Sequence, residues 1–330
     1  MAYITHKKIA EIAHVSPSTV SKALSDSKEI SEELKESIVK IAMDEGYFAQ
    51  KSKRKIEYAS EKSVAVAIVC PEIISIAYAG EISAIKNELE LKGAVVSVYI
   101  YDFNSEKLKN IIESINVGKR ADGIILFGAF PSEVKSSIPI VGIDRFRADY
   151  DTVYCDINGY FDDIIDYLKN LGHKKIAFIG EKHTAAKLEA YKKSLSKYNL
   201  TADPENIYII NERFESIGYT AAEELLKRNE LPTAIICAYD EIALALIKRL
   251  TEKGIEIPKK ISVVGINDIP MSEYSLIPLT SVHIFEKEEA EMAVKLLYDK
   301  IFNRTNAIQH ISVSHSLIIR KSTDVVDKGI

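Results

Sequence analysis

The spacing of apolar positions changes character along the chain. Between residues 5 and 47 it is helical: Ile9, Ala10 and Ala13, then Val20 and Leu24, then Leu34, Ile38, Ile41 and Ala42. Thr5 suits the N-cap of a first helix. Ser16-Pro17 opens a second, because a Ser oxygen can accept from the first turn and the N–H that Pro lacks would be unpaired there anyway. That helix is predicted to run to about Leu24, leaving Ser18, Thr19, Ser21 and Lys22 on its outer side. Ser31, followed by Glu32 and Glu33, opens a third helix with carboxylates toward the positive end of its dipole, and Tyr47 closes the cluster.

From residue 63 the pattern turns to β-branched runs alternating with helical stretches. Buried strands are predicted at 63–70, 94–101, 122–127 and 138–143, with helices near 78–92 and 105–117. The scheme recurs at 175–180, 207–210, 233–238 and 261–266, with helices near 156–171, 186–198, 215–229 and 240–253. Unbroken apolar strands separated by helices imply parallel sheets covered on both faces. Two such halves would hold a ligand between the carboxyl ends of their strands.

Composition narrows the function. A chain of 330 residues exceeds one core, and 47% hydrophobic with 28% charged residues excludes disorder as its main state. Cys70, Cys155 and Cys237 lie too far apart for a local CxxC site or a disulfide framework, which suggests a reducing compartment, and Cys155 and Cys237 read as small buried hydrophobes. The N-terminal residues lack the apolar stretch of a signal peptide and no window reaches ~18 apolar residues, so a cytoplasmic protein without membrane contact is expected. The net charge of −5 argues against a protein that coats nucleic acid, although Lys51, Lys53, Arg54 and Lys55 form a basic run. Catalytic signatures are missing: there is no GxSxG, no GxxxxGK[ST], no GxGxxG after a strand, and the seven His residues are scattered. Neither an enzyme nor a cofactor or metal site is expected. A helix, a short turn and a second helix with a small polar outer face fit a helix-turn-helix that enters the major groove; a generic three-helix bundle has the same spacing.

Particular residues separate the two. Lys8-Ile9-Ala10-Glu11-Ile12-Ala13, then Val15-Ser16-Pro17-Ser18-Thr19-Val20-Ser21-Lys22-Ala23-Leu24, Glu29-Ile30-Ser31 and Gly46-Tyr47, resemble the head of the LacI/GalR family of transcriptional repressors. In the body, the run from Leu171 to Gly180, Ile261-Ser262-Val263-Val264-Gly265-Ile266-Asn267-Asp268 and Pro278-Leu279-Thr280-Ser281-Val282 are similar to that family's effector domain. The resemblance implies an all-α helix-turn-helix head plus an α/β periplasmic-binding-protein-like body of two parallel-sheet subdomains. The head would occupy residues 1–49, a hinge or linker 50–62 and the effector-binding and dimerisation domain 63–330. Within the latter it implies an N-subdomain of about 63–156 plus 286–314 and a C-subdomain of about 157–285 plus 315–323.

The resemblance also implies roles. DNA contacts fall to Thr5, Ser16, Pro17, Ser18, Thr19, Ser21 and Lys22 in the head, and to Lys53, Arg54 and Ile56 in the hinge. Pro17, Ser18 and Lys22 take the base-reading positions: Lys22 can donate to guanine, whereas Pro17 offers only apolar contact. In the hinge, Ile56 stands where the family has Leu and Lys53 where it has a small Ala, so a minor-groove wedge and a solvated phosphate-binding linker both remain open. The effector site carries over to Asp144, Lys187, Phe214, Tyr239, Asn267 and Asp268, with Lys187 and Tyr239 replacing the family's Arg and Asn.

The partners implied are a pseudo-palindromic double-stranded operator, a small sugar effector of galactose or β-galactoside type, and a second copy of the chain. A sugar phosphate is the alternative effector, given Arg145, Arg147 and Lys187, and a protein co-repressor or a solute-binding role are further alternatives. Residues 324–330 are too few for a coiled coil, so a dimer rather than a tetramer is expected, with the helix near 78–92 a family-based contact.

Overall fold

The computed structural model describes residues 5–24, 30–45, 47, 63–128, 136–143, 149–303 and 307–326. The predicted hinge residues Lys53, Arg54 and Ile56, and Asp144 of the predicted effector site, lie outside them. The chain divides into two units, Met1–Val64 and Ala65–Ile330.

The first unit is built on a cluster that the helical spacing anticipates: Ile9, Ala10, Val20, Ala23, Ile38 and Ala42 are buried, with Leu24, Leu34, Ile41 and Tyr47 packed against them. They come from α1 (His6–Ile12), α2 (Pro17–Leu24) and α3 (Glu32–Asp44). Thr5 caps α1, its hydroxyl accepting from the Lys8 N–H at 3.3 Å. Ser31 occupies the N-cap position of α3 but makes no side-chain cap, so its contribution is the extended backbone that starts the helix.

The second unit contains two six-stranded sheets. The first is ordered β11-β5-β4-β3-β1-β2, from β1 (Ala65–Cys70), β2 (Val95–Ile100), β3 (Gly123–Phe127), β4 (Ile140–Ile143), β5 (Asp151–Cys155) and β11 (His310–Val313). All its pairings are parallel. The second is ordered β12-β10-β9-β8-β6-β7, from β6 (Ile176–Gly180), β7 (Ile207–Ile209), β8 (Ala234–Cys237), β9 (Ser262–Ile266), β10 (Thr280–Ile284) and β12 (His315–Ile318). The helices are α4 (Ile76–Leu91), α5 (Ser105–Gly118), α6 (Ile157–Asn170), α7 (Ala185–Lys197), α8 (Glu215–Leu225), α9 (Asp240–Glu252), α10 (Pro270–Tyr274) and α11 (Glu286–Asn303).

Two expectations need correction. β12 pairs antiparallel with β10, so the second sheet is parallel only in its other pairings. β2 is not a fully buried strand: it lies at a sheet edge, with Val95 59% and Val98 45% exposed. An apolar β-branched run cannot by itself distinguish a central strand from an edge strand whose open face awaits a partner.

The chain crosses between the sheets at three single residues. Asp156 links β5 to α6, Phe285 links β10 to α11, and Ser314 links β11 to β12. α6 packs on α7 beside the second sheet, whereas α11 packs on α4 and the first sheet. Each sheet with its helices is therefore a lobe, and the three crossings are the covalent hinge between the lobes. On the first lobe, Lys300 of α11 ties the start of β5 by an ion pair of 2.9 Å to the nearly buried Asp151. On the second, buried His173 bonds the Thr233 hydroxyl at 3.0 Å and donates to the Asp324 carbonyl at 3.1 Å, which fixes the C-terminal segment. All three cysteines are buried.

Candidate functional site

In the head, the exposed side of α2 carries Pro17, Ser18, Ser21 and Lys22, with Thr19 half-buried. Ser16 starts this helix: its hydroxyl accepts from the Thr19 N–H at 3.1 Å and lies 2.8 Å from the Thr19 hydroxyl. The four-residue turn before it passes through His14 at φ 52°, which redirects the chain and sets α2 against α1. On the other side Val20 and Ala23 are buried. The helix thus presents a row of small polar groups and one cation on a rigid three-helix base, a shape and chemistry suited to a major groove.

In the body, a cleft of about 840 Å³ open to solvent lies where the carboxyl ends of strands from both sheets converge. Glu72, Ser75, Tyr78 and Glu81 line it from the end of β1 and from α4, and Glu289 from α11. The second lobe contributes His183, Thr184, Lys187, Tyr239 and Asn267, and Cys155, Ile157 and Ile284 line it beside two of the hinge crossings. The carboxylates of Glu72, Glu81 and Glu289 are at least nine-tenths buried, so the first lobe offers strong acceptors at low exposure.

Of the sequence-predicted effector residues, the structure brings Lys187, Tyr239 and Asn267 into this cleft. Lys187 donates to the Ala238 carbonyl at 2.8 Å and lies 4.6 Å from the centre of the Tyr239 ring, so its charge is spent on the end of β8 and on a cation–π contact. Asn267 and Asp268 follow β9 at φ 109° and 52°, a left-handed turn that throws the Asn267 side toward the cleft. Asp268 turns elsewhere: it accepts from Arg320 at 2.6 Å and lies 3.2 Å from His283. Phe214 is not a lining residue and sits 6.2 Å from Tyr239, ring centre to ring centre.

Sequence reasoning missed Arg213, Glu72, Glu181, Phe103 and His183. Arg213 lies 2.5 Å from Glu72 and 3.0 Å from Glu181, the second approach being a charge contact without hydrogen-bond alignment. Burial pushes the Glu181 carboxyl above its usual range; Arg213 opposes the rise and the charge of Glu72 adds to it. Phe103 stacks on His183 with ring centres 3.9 Å apart. The only signal in the sequence was an arginine next to the aromatic chosen for stacking.

Beneath the cleft, Asp240 at the start of α9 is fully buried and accepts from Ser281, Ser272 and the Ile269 N–H. Burial pushes its carboxyl up to about 6 against those three donors. It joins α9, α10 and β10 under the Asn267 turn.

A helix-turn-helix head followed by a two-lobed α/β body with a cleft between its lobes defines a DNA-binding regulator with an effector domain. The family described as "Bacterial regulatory proteins, lacI family" matches residues 5–50, and the "Periplasmic binding protein-like domain" matches residues 165–323. The chain is a DNA-binding transcriptional repressor with a ligand-binding effector domain, and its head matches that of the lacI family. It is 28% identical to the HTH-type transcriptional repressor PurR of Haemophilus influenzae over 336 residues, covering 96% of this chain and 98% of that protein. In fold it is similar to the lac repressor dimer bound to operator and the anti-inducer ONPF, with TM-score 0.75, 21% identity and coverage of 98% and 100% of the two chains. The transcriptional regulator CelR in complex with cellobiose gives TM-score 0.69 at 22% identity, covering 97% and 99%. No helix among the described residues is long and apolar enough to cross a membrane.

Proposed function

We propose that the protein represses transcription from the cytoplasm as a homodimer on a pseudo-palindromic operator, and that a small hydroxyl-rich ligand in the interlobe cleft controls its operator affinity. The observation that carries the ligand reading is the lining itself. Buried carboxylates of Glu81 and Glu289 offer acceptors to hydroxyl donors, Asn267 offers both donor and acceptor, and Tyr78 and Tyr239 offer rings on which an apolar sugar face can lie. CelR, of the same fold, is solved with cellobiose, which supports a saccharide in such a cleft. Galactose or a β-galactoside is a member of this class that no residue in the cleft singles out. A planar nitrogenous base is the second reading, since its N–H edge suits the same carboxylates and its faces suit the same tyrosines. A sugar phosphate is less favoured, because Lys187 is already committed to Ala238 and Tyr239.

The assembly reading rests on exposed apolar groups. Ile73, Ile74, Leu91, Val95 and Val98 are exposed on the first lobe, and Met271, Tyr274 and Leu276 border a groove with Leu244, Ile247 and Ile277 on the second lobe. Such groups on both lobes suit a two-fold interface. Two heads on one dimer would read two half-sites, with specificity that one small head lacks. A ligand that favours one arrangement of the lobes would shift the separation of the heads.

A thermal-shift panel of mono- and disaccharides, nucleobases, nucleosides and sugar phosphates tests the ligand class. A ligand at a hundredfold excess over its Kd stabilises the folded state by about 2.7 kcal/mol. Shifts confined to sugar phosphates would overturn the hydroxyl-rich reading.

A further inference from the structure

The guanidinium of Arg213 bridges the two lobes. Arg213, in the segment before α8 on the second lobe, places Nη2 2.5 Å from Oε1 of Glu72, which follows β1 on the first lobe. Its Nε lies 3.0 Å from Glu181, which follows β6 on its own lobe. Both carboxylates are nearly buried, Glu72 at 8% and Glu181 at 2% exposure. Two aromatic rings enclose the cation: its central carbon is 4.5 Å from the centre of Phe214 and 5.3 Å from that of Phe103. Phe103 belongs to the first lobe and also stacks on His183 of the second. Phe103 and Phe214 both adopt φ near 50°, 54° and 52°, a conformation costly for non-glycine residues and therefore one that the surrounding contacts must hold. A second cross-lobe contact lies close by: the Ile76 N–H, at the start of α4, favours the charged form of the buried Glu241 on α9.

We propose that Arg213 is a latch that holds the two lobes closed in the absence of ligand. The proposal rests on reading the cleft as the effector site. It goes further in giving the cross-lobe contact a cause inside the chain. Glu72 and Glu181 come from opposite lobes and carry like charge within reach of one group. With Arg213 between them, each carboxylate has a counter-ion at low exposure, where attraction is screened little. Without it the same two carboxylates face each other across the cleft and repel. Loss of Arg213 therefore replaces a tie by a wedge, whereas loss of the Glu72 charge removes tie and wedge together. Lysine cannot substitute in full, because a point charge does not present the two-sided fork that reaches both acids or the flat face that lies between two rings.

The test is an interlobe distance on the full-length, ligand-free protein. Nitroxide labels at Lys109→Cys on α5 and Lys193→Cys on α7, both exposed positions, report on the two lobes, and the native cysteines are buried. Pulsed electron resonance is expected to show one short distance in the otherwise unaltered protein and a shift to longer distances with Arg213→Ala. Adding Glu72→Gln to Arg213→Ala should shorten the distance again, because it removes the repulsion. Glu72→Gln alone should broaden the distribution less than Arg213→Ala does. Should Arg213→Ala fail to fold, as judged by circular dichroism, Glu72→Gln and Phe103→Ala carry the comparison against the unaltered protein. Unchanged distances in the folded variants, or a double variant no shorter than Arg213→Ala, would overturn the latch. The thermal-shift panel is independent of this measurement: a panel without any shift alongside a lengthened distance would reject the effector reading and keep the latch, and the reverse would do the opposite.

Discussion

Asp240 fills the space that a side chain on Gly265 would need. A Cβ at residue 265 would fall 2.0 Å from Oδ1 of Asp240 and 2.8 Å from Leu279. Asp240 cannot move aside without abandoning Ser281, Ser272 and the Ile269 N–H, so Gly265→Ala is expected to cost about 2–3 kcal/mol. Urea unfolding should show a lower midpoint with an unchanged slope.

The same carboxylate has a pH signature. Its folded pKa of about 6 lies above the ordinary value of 3.8, so the folded state binds the proton more tightly. The stability it contributes is fully present below pH 3.8 and is lost as the pH rises through about 6. Asp240→Asn removes this dependence and also turns an amide toward a set of donors, so the variant should be less stable by about 1–3 kcal/mol at neutral pH with a flatter pH profile between 4 and 7. Chemical denaturation across that range checks both parts.

His173 acts with the opposite sign. Burial holds its imidazole below the usual 6.5, and only the hydrogen bond to Asp324 opposes this. Its contribution is present above pH 6.5 and is lost as the pH falls. Comparing the unaltered protein with His173→Gln by differential scanning calorimetry should show a smaller loss of Tm on acidification in the variant.

In the head, Ser16 holds the first turn of α2 and Lys22 projects from its exposed side. Ser16→Ala should lower the stability of the head by about 1 kcal/mol. Lys22→Ala should relax sequence preference at one or two positions of each half-site, whereas a phosphate contact would weaken all duplexes about equally. Selection from a randomised duplex library, followed by sequencing, distinguishes the two.

For the assembly, Leu276 is 96% exposed beside an apolar groove. Leu276→Glu combined with Val95→Glu should give a monomer in sedimentation velocity at micromolar concentration, with the circular dichroism of the unaltered protein. A dimer that survives both changes would place the interface elsewhere.

What could be read from the sequence follows the range of the interactions concerned. The helices of the head were legible because Ile9, Val20, Ile38 and Ala42 recur at local helical spacing and Ser16-Pro17 marks a helix start. The central strands were legible as apolar β-branched runs. α11 was not legible from its period, because Glu289, Ala290, Val294, Leu296, Leu297 and Lys300 are all buried and leave no single apolar stripe. β5 was hidden by Asp151 and Thr152, which are buried only because Lys300, the Gln309 N–H and His310 satisfy them. In the site, Lys187, Tyr239 and Asn267 were legible through a family resemblance. Glu72 and Arg213, 141 residues apart, meet only once both lobes have folded, and no local spacing marks such a pair.

Ligand control of DNA binding is measured most directly by the operator affinity of the full-length protein with and without a cleft ligand. Fluorescence anisotropy on a duplex selected from the randomised library would use whichever compound raises the Tm most in the panel. At least a tenfold change in Kd is expected with that compound, in either direction, and a several-fold smaller change in Asn267→Gly, which removes a donor and acceptor from the cleft lining and leaves the affinity for the bare duplex near that of the unaltered protein. A compound that saturates the body yet leaves the operator Kd unchanged, or a protein that prefers no duplex over random DNA, would contradict it.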